Sequence, residues 1–447
     1  MKKTFLFSHQ VSKSLRNTKK LCEPLCLGVF VAEKLQYLNS YKKTVLKIWV
    51  MVVLLFLGGA VEGWSQVLSG ASFLKVLPGA RLQAMSGSLT AGLDEMHAIY
   101  ANPGAAGFLR EWQWSAAYTK WIADVYNASL VYGTRWRTPW SPVTRLSVGL
   151  LYQGMPDFDS SDGVTPAVSA NDMILSASLG QPLSGISKNL SVGTNLKYMR
   201  SKLAQFDASS LILDVGLLYR TPRFHLPTSA IGLFDYGIIS AGVSLNNIGN
   251  DLTYVNTATP LPRALRTGLA FNAGAHDGLK MQISLDYLKI RDEQEGMTLG
   301  AEFSWNRLFA LNAGYDYDQD LLSRGTLGVS INLDDINMPA NSPIPGRSKA
   351  IRFELATLDE DEFFSRTYRG GLSHYAIGPE GFRFREPAMH RQMETDSVLL
   401  EWEESREPDL YDELNYFVLV NKDSSRLATA LDDIERNPAD LVRLAQF

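Results

Sequence analysis

The sequence predicts an all-β protein: a transmembrane antiparallel β-barrel of about fourteen strands, with twelve also possible, carrying an N-terminal hatch and a small C-terminal α+β module. Three observations predict it. Apolar and polar residues alternate over runs of about 9–12 residues, the length of a tilted membrane span rather than the ~5–6 of soluble strands. The second face of each run is built from Gly, Ser and Asn with scattered charges, too poor in bulky apolar residues for the interior of a soluble sandwich. Trp and Tyr gather at the ends of the runs, where a membrane-interface girdle needs them. GMTLGAEFSWNR at 296–307 shows the pattern. Met297, Leu299, Ala301, Phe303 and Trp305 share one face, and Thr298, Gly300, Glu302, Ser304 and Asn306 the other. In a membrane barrel the oily row meets lipid and the polar row lines the lumen.

Residues 1–65 read as an extension ending in a secretory signal. Lys42, Lys43 and Lys47 precede the apolar run 48–60, and Gly63 and Ser65 are small residues suited to cleavage before Gln66. The run has 13 residues, short of the ~20 of a spanning helix. The 41 residues ahead of it are read as the product of a start codon placed too far upstream. Cys22 and Cys26 both lie in this region, so a processed chain has no cysteine and no disulfide to mispair in an oxidising compartment. No later apolar run is long enough to span as a helix, so insertion must use strands.

Residues 66–111 form the expected hatch. SFLKVLPGARLQAMSGSLTAGLDEMHAIYANPGAAGFL at 72–109 is full of small residues, including Gly79, Ala80, Ala84, Ser86, Gly87, Ala91 and Gly92. Asp94 is expected to cap a short helix through Tyr100, with Glu95 in its first turn. Asn102 is expected to cap a second, with Pro103 at its first position. His97 is expected to face water rather than to form a dyad with Asp94.

Residues 112–358 form the expected barrel. Twelve alternating segments lie between 112 and 333, among them RLSVGLLYQ, NLSVGTNLKY, SSLILDVGLLYR, LKMQISLDY, FALNAGYDY and GTLGVSINL, and KAIRFELATL at 349–358 can close the set. Lipid offers no partner to an unpaired backbone N–H, so the sheet must close, and a single-chain bacterial barrel closes on an even number. Twelve and fourteen both satisfy this, and the proline-bearing piece 334–348 is left to decide. Lys197, Asp214, Asp286, Glu302 and Asp316 fall on the polar face as lumen candidates. Two pairs are expected, Lys197/Asp214 and Asp286/Glu302, as part of a charge lattice pinning hatch to wall; a carboxylate site is the alternative.

The hatch resembles the PorV/PorQ family of outer-membrane proteins, within the FadL-type barrel superfamily. The resemblance rests on Phe73-Leu74-Lys75, Gly79-Ala80-Arg81, Met85, Gly87, Thr90-Ala91, Asp94, Tyr100 and Asn102-Pro103, and continues in LSVGTNLKYMRSKL, LNNIGNDLTY and LPRALRTGLAF. It covers roughly residues 72–357. Ala84 and Ser86 stand where that family usually has glycine, Glu95 where a second aspartate is common, Ala101 where an aromatic is common, and Gly104 where alanine follows the proline. The resemblance implies a barrel of about fourteen strands with an N-terminal hatch in the bacterial outer membrane. FadL-type members move hydrophobic compounds inward; PorV-like members hold and pass protein cargo in type IX secretion.

Residues 359–447 are acidic, with 10 Lys+Arg against 20 Asp+Glu, whereas residues 66–358 carry a net charge of only -1. LDEDEFFSRTYRGG at 358–371 reads as a linker. DSVLLEWEESREPDLYDELNYFVLVNKD at 396–423 looks like two strands of a fibronectin type III sandwich, with Trp402 and Tyr416 as core candidates. SSRLATALDDIER and NPADLVRLAQF read as helices, the second capped by Asn437 with Pro438 following. The expectation is a periplasmic interaction module.

Motifs for catalysis are missing: there is no zincin helix, phosphate-cradling glycine loop or nucleophile elbow, and the six histidines are widely spaced. The sequence therefore predicts no enzyme, no metal and no cofactor. A net charge of -4 without a basic cluster argues against nucleic acid. The expected partners are outer-membrane lipid and, by resemblance, either secreted cargo and secretion components or a hydrophobic small molecule in the lumen. A barrel that merely tethers the envelope through its tail is the third reading.

Overall fold

The computed structural model describes residues 68–377, apart from 122–123, 137–143, 159–167, 185, 227–232, 256, 276–277, 306–307, 319–323, 335–347 and 359–366, together with three strand pieces, Phe5–Leu6, Phe384–Glu386 and Leu399–Trp402. The expected signal and the two C-terminal helices lie outside the described residues.

Fourteen long strands form the barrel. They are β1 Trp112–Lys120, β2 Tyr126–Trp136, β3 Thr144–Phe158, β4 Val168–Pro182, β5 Leu190–Leu203, β6 Phe206–Arg220 and β7 Tyr236–Gly249. The other seven are β8 Ala264–Gly274, β9 Lys280–Ile290, β10 Gly296–Trp305, β11 Phe309–Asp318, β12 Arg324–Asp334, β13 Ser348–Leu358 and β14 Thr367–Ile377. Each pairs antiparallel with the next in sequence, and β14 returns to β1, with Tyr368 opposite Lys120 and Tyr375 opposite Gln113. Closure leaves no long edge, as a lipid environment requires. Among the described residues no helix is long and apolar enough to cross a membrane.

The fourteenth strand lies beyond the barrel boundary expected at 358. Arg369-Gly370-Gly371 reads as a linker in sequence, yet it sits mid-strand. Gly371 faces inward against Ala80 of the hatch, where a Cβ would crowd it. The strand number is thus decided by Thr367–Ile377, not by the piece 334–348.

Strand β5 shows which way the faces point. Asn195 is 0 % exposed, Leu196 48 % and Lys197 4 %. The oily row is on the outside and the polar row is buried, the inverse of a soluble sheet. Leu213, Leu285, Leu299, Phe353 and Leu355 continue the outward apolar band. Rings cluster at its rim: Tyr118 stacks on Tyr126, which in turn meets Tyr152 at 5.9 Å between centroids.

Both ends of the strand set, Trp112 and Ile377, lie at one mouth, here termed proximal. The β1–β2, β7–β8 and β9–β10 connections lie at the other, distal mouth. The short strands Leu252–Tyr254 and Thr257–Thr259 form a hairpin within the β7–β8 connection.

Candidate functional site

The hatch threads the lumen from the distal to the proximal mouth. At the distal end Ser69 donates to Asp292 through its backbone N–H (3.1 Å) and its hydroxyl (2.6 Å). Lys75 bridges Asp292 at 2.9 Å and Glu293 at 2.8 Å, and Gly70 N–H donates to the Pro260 carbonyl. At the proximal end the Arg110 guanidinium donates to the Ala376 carbonyl, and Arg145 Nε to the Leu109 carbonyl. The hatch backbone is mostly turns: 3-10 segments at Ser72–Lys75, Met96–Tyr100 and Pro103–Phe108, and one short helix α1, Ala80–Ala84. Gly79 and Gly87 flank α1 with φ of 99° and 74°, conformations that side chains strain to adopt.

A girdle of small residues on the inner wall lets this backbone lie directly against the strands. Added Cβ atoms would overlap Pro103 at Gly193, Asn102 at Gly216, Thr90 at Gly242, Ser88 at Gly300, Ser86 at Gly314 and Ala84 at Gly328. Hatch residues thus meet the wall strand by strand, through hatch backbone at Gly193, Gly242 and Gly314 and through short side chains at Gly216, Gly300 and Gly328. The scattered strand glycines were visible in sequence; their common function was not, because it depends on which face and which height each occupies.

Ion pairs lock the seal. Arg81, in α1, has its Nε 2.5 Å from Glu302 Oε2 and its Nη2 3.1 Å from Glu302 Oε1. Its remaining donors reach Gln282 Oε1 at 3.2 Å and the Leu93 carbonyl at 3.4 Å. Asp94 takes a two-pronged bond from Arg110, 2.7 Å on each oxygen, while Arg110 also lies over the Tyr375 ring. Arg352 approaches both Asp94 and Glu354, at 4.0 and 3.8 Å. Asp286 accepts from Thr90 N–H at 2.8 Å.

The expected site residues therefore separate into groups. Asp286 and Glu302 do not pair with each other; each receives a different hatch donor. Lys197 and Asp214 do pair, at 2.8 Å, but they brace the wall. Asp214 also accepts from Asn247 N–H, and Lys197 donates to Asn247 Oδ1, where the β6–β7 register slips between Leu213 and Val215. Asp316 faces the distal lumen. Tyr100 shares a hydrogen bond with Ser176 at 2.8 Å. Asn102 accepts from Gly104 N–H as the expected cap, with Pro103 at the first helical position, and its amide donates to the Thr90 and Leu217 carbonyls.

Two expectations are corrected. Asp94 is not the cap of the Met96–Tyr100 turn; Glu95 is, accepting from His97 N–H at 3.1 Å. Asp94 sits at φ 61°, turned toward Arg110, a stronger partner for a carboxylate than a backbone N–H. His97 does not face water. It is fully buried, its ring nitrogens within hydrogen-bond reach of Glu95, Ser115 and Ser129.

Apolar residues complete the picture. Phe73 enters an inward-facing cluster of Leu151, Ile174, Met199, Ile212, Leu252 and Leu261. Phe73→Ala is expected to cost roughly 3 kcal/mol, as for other buried Phe truncations, measurable as a lower unfolding midpoint in detergent.

The distal clamp has a defined acid response. Burial alone would raise the Asp292 carboxyl, but hydrogen bonds from Ser69 and Lys75 outweigh it and hold the group below the usual carboxylate range. A lowered folded value stabilises above the unfolded pKa of ~3.9 and is lost as pH falls through the folded one. Protease protection of residues 69–75 is therefore expected to persist at pH 5 and to fail only below about pH 4.

No family model matches the sequence, and no curated protein matches it. Among solved structures, the chain is similar to the toluene transporter TbuX of Ralstonia pickettii, at 12 % identity and a TM-score of 0.42, covering 67 % of this chain and 98 % of that one. It is also similar to a deltaS2S3 mutant of the TodX monoaromatic hydrocarbon channel, at 12 % identity and a TM-score of 0.41, covering 66 % and 97 %. A Pseudomonas aeruginosa FadL homologue aligns at 10 % identity with a TM-score of 0.39, covering 67 % and 98 %.

Proposed function

We propose that the chain is an outer-membrane barrel that admits small hydrophobic molecules, with the hatch as its stopper. The observation that carries this reading is the apolar cluster inside the lumen, where Leu151, Ile174, Met199 and Ile212 of the wall pack against Phe73, Met96 and Ile99 of the hatch. An inward apolar patch offers a solute a place to leave water before the hatch gives way. The distal mouth faces outward and the proximal mouth the periplasm. Uptake of a labelled hydrophobic solute by cells with and without the gene tests the reading. Equal uptake would count against it.

A second reading is a PorV/PorQ-type protein that holds secreted cargo in type IX secretion. The hatch residues Gly79-Ala80-Arg81, Tyr100 and Asn102-Pro103 favour it, as does a hatch held at both mouths. The acidic segment after the barrel would then be the periplasmic docking module. Capture on the tagged protein that recovers no secretion component or cargo would remove this reading.

A further inference from the structure

The distal lumen holds a cavity of about 200 Å³, open outward and floored by the hatch at Lys75–Leu77 and Leu82–Gly87. Among the described residues, two arginines on its wall have no carboxylate bonded to them. Arg266 is 7 % exposed, and among the described residues its guanidinium makes no hydrogen bond. Arg369 is 5 % exposed and donates to neutral acceptors, Thr119 Oγ1 and the Leu77 and Gly79 carbonyls. By contrast, three arginines of the hatch lattice have acidic partners: Arg81 has Glu302, Arg110 has Asp94, and Arg352 has Asp94 and Glu354. A buried guanidinium without a bonded carboxylate keeps unpaired donors, which an anionic ligand can satisfy. Asp316 also lines the cavity and is engaged with a partner of its own. Asp286, Glu293, Asp316 and Asp214 all act on Arg266 through space without bonding it; Asp286 turns to Thr90, Glu293 to Lys75 and Asp214 to Lys197.

We propose that this vestibule binds a compact organic carboxylate of one ring, its charge on Arg266 and its ring against Leu77, Leu82 and Leu288. A planar guanidinium matches a carboxylate in two-pronged geometry. A cavity of about 150 Å³ accommodates benzene, so the space suffices for a single ring. The inference deepens the proposed function and rests on it only for the direction the cavity faces. Binding does not require passage: a barrel that binds the carboxylate yet passes no solute leaves this inference standing and removes the uptake reading.

The test titrates the purified processed chain in detergent with benzoate, benzyl alcohol and acetate by calorimetry against matched detergent blanks. Benzoate carries ring and charge, benzyl alcohol the ring alone, and acetate the charge alone. Benzoate is expected to bind at least about tenfold more tightly than either, since a hydrogen bond to a charged group contributes that much or more. Arg266→Gln is expected to lower benzoate affinity about tenfold or more, and Asp316→Asn to raise it, because a repelling carboxylate is removed. Arg266→Lys keeps the charge without the fork, so an intermediate affinity is expected; it also serves if the glutamine variant fails to show a folded barrel's heat-modifiable gel mobility. Benzyl alcohol or acetate binding as well as benzoate would overturn the proposal, as would no detectable benzoate binding. Wild-type affinity in folded Arg266→Gln, or in Arg266→Lys should Arg266→Gln not fold, would do the same.

Discussion

Alanine at Gly193 is expected to unseat the hatch, while alanine at Gly325 is expected to leave it in place. The two substitutions add the same methyl group to strands of the same barrel. At Gly193 the new carbon would overlap the Pro103 carbonyl and crowd Gly104 N, and neither can swing aside as a side chain tip could. At Gly325 nothing lies within 4 Å. Overpacking against a rigid neighbour costs about 1–3 kcal/mol, against less than about 0.5 kcal/mol at an open surface position. The readouts are protease cleavage within the hatch and ion conductance across a planar bilayer. Gly193→Ala is expected to show both and Gly325→Ala neither. Equal behaviour of the two would mean that the girdle does not form the seal.

Arg81→Ala is expected to weaken the hatch more than any other single side-chain removal in the lattice. Arg81 is 4 % exposed, holds Glu302 with two bonds and lies 3.9 Å from Glu95. Removing it leaves carboxylates buried without their cation, a change that costs about 3–5 kcal/mol in comparable sites. Arg81→Lys is expected to recover little, because an ammonium cannot reproduce the forked bond to Glu302 while reaching Gln282 and Leu93. Adding Glu302→Gln to Arg81→Ala should restore part of the loss, since it removes the orphaned charge. Urea unfolding of the four proteins in detergent measures the cycle. Strict additivity of the two single changes would show that the pair does not act as one unit.

The alternation in LKMQISLDY and NLSVGTNLKY was enough to place Lys197 and Asp286 on the lumen face, because a period of two leaves a strand only two sides. Asn102 as a cap was legible for a similar reason: an acceptor followed by proline is a local signal. The cap rule misplaces Asp94 because it weighs only neighbours in sequence, whereas Arg110 binds it in the fold. The burial of His97 is hidden from sequence for the same reason; its environment is supplied by Ser115 and Ser129 on the wall. Strand β14 was missed because Arg369-Gly370-Gly371 looks like a linker until one knows that the wall must leave room for Ala80 beside Gly371.

Sequence alone determined that this chain must cross a membrane with strands and close on itself. Both conclusions follow from local period and from the absence of backbone partners in lipid. Only the tertiary structure decided the strand number, the seat of each inner-wall glycine and the pairing of Arg81, Asp94 and Glu302. Those depend on register and on the path of the hatch, which bring together residues as far apart in sequence as Arg81 and Glu302, whose encounter no local pattern encodes.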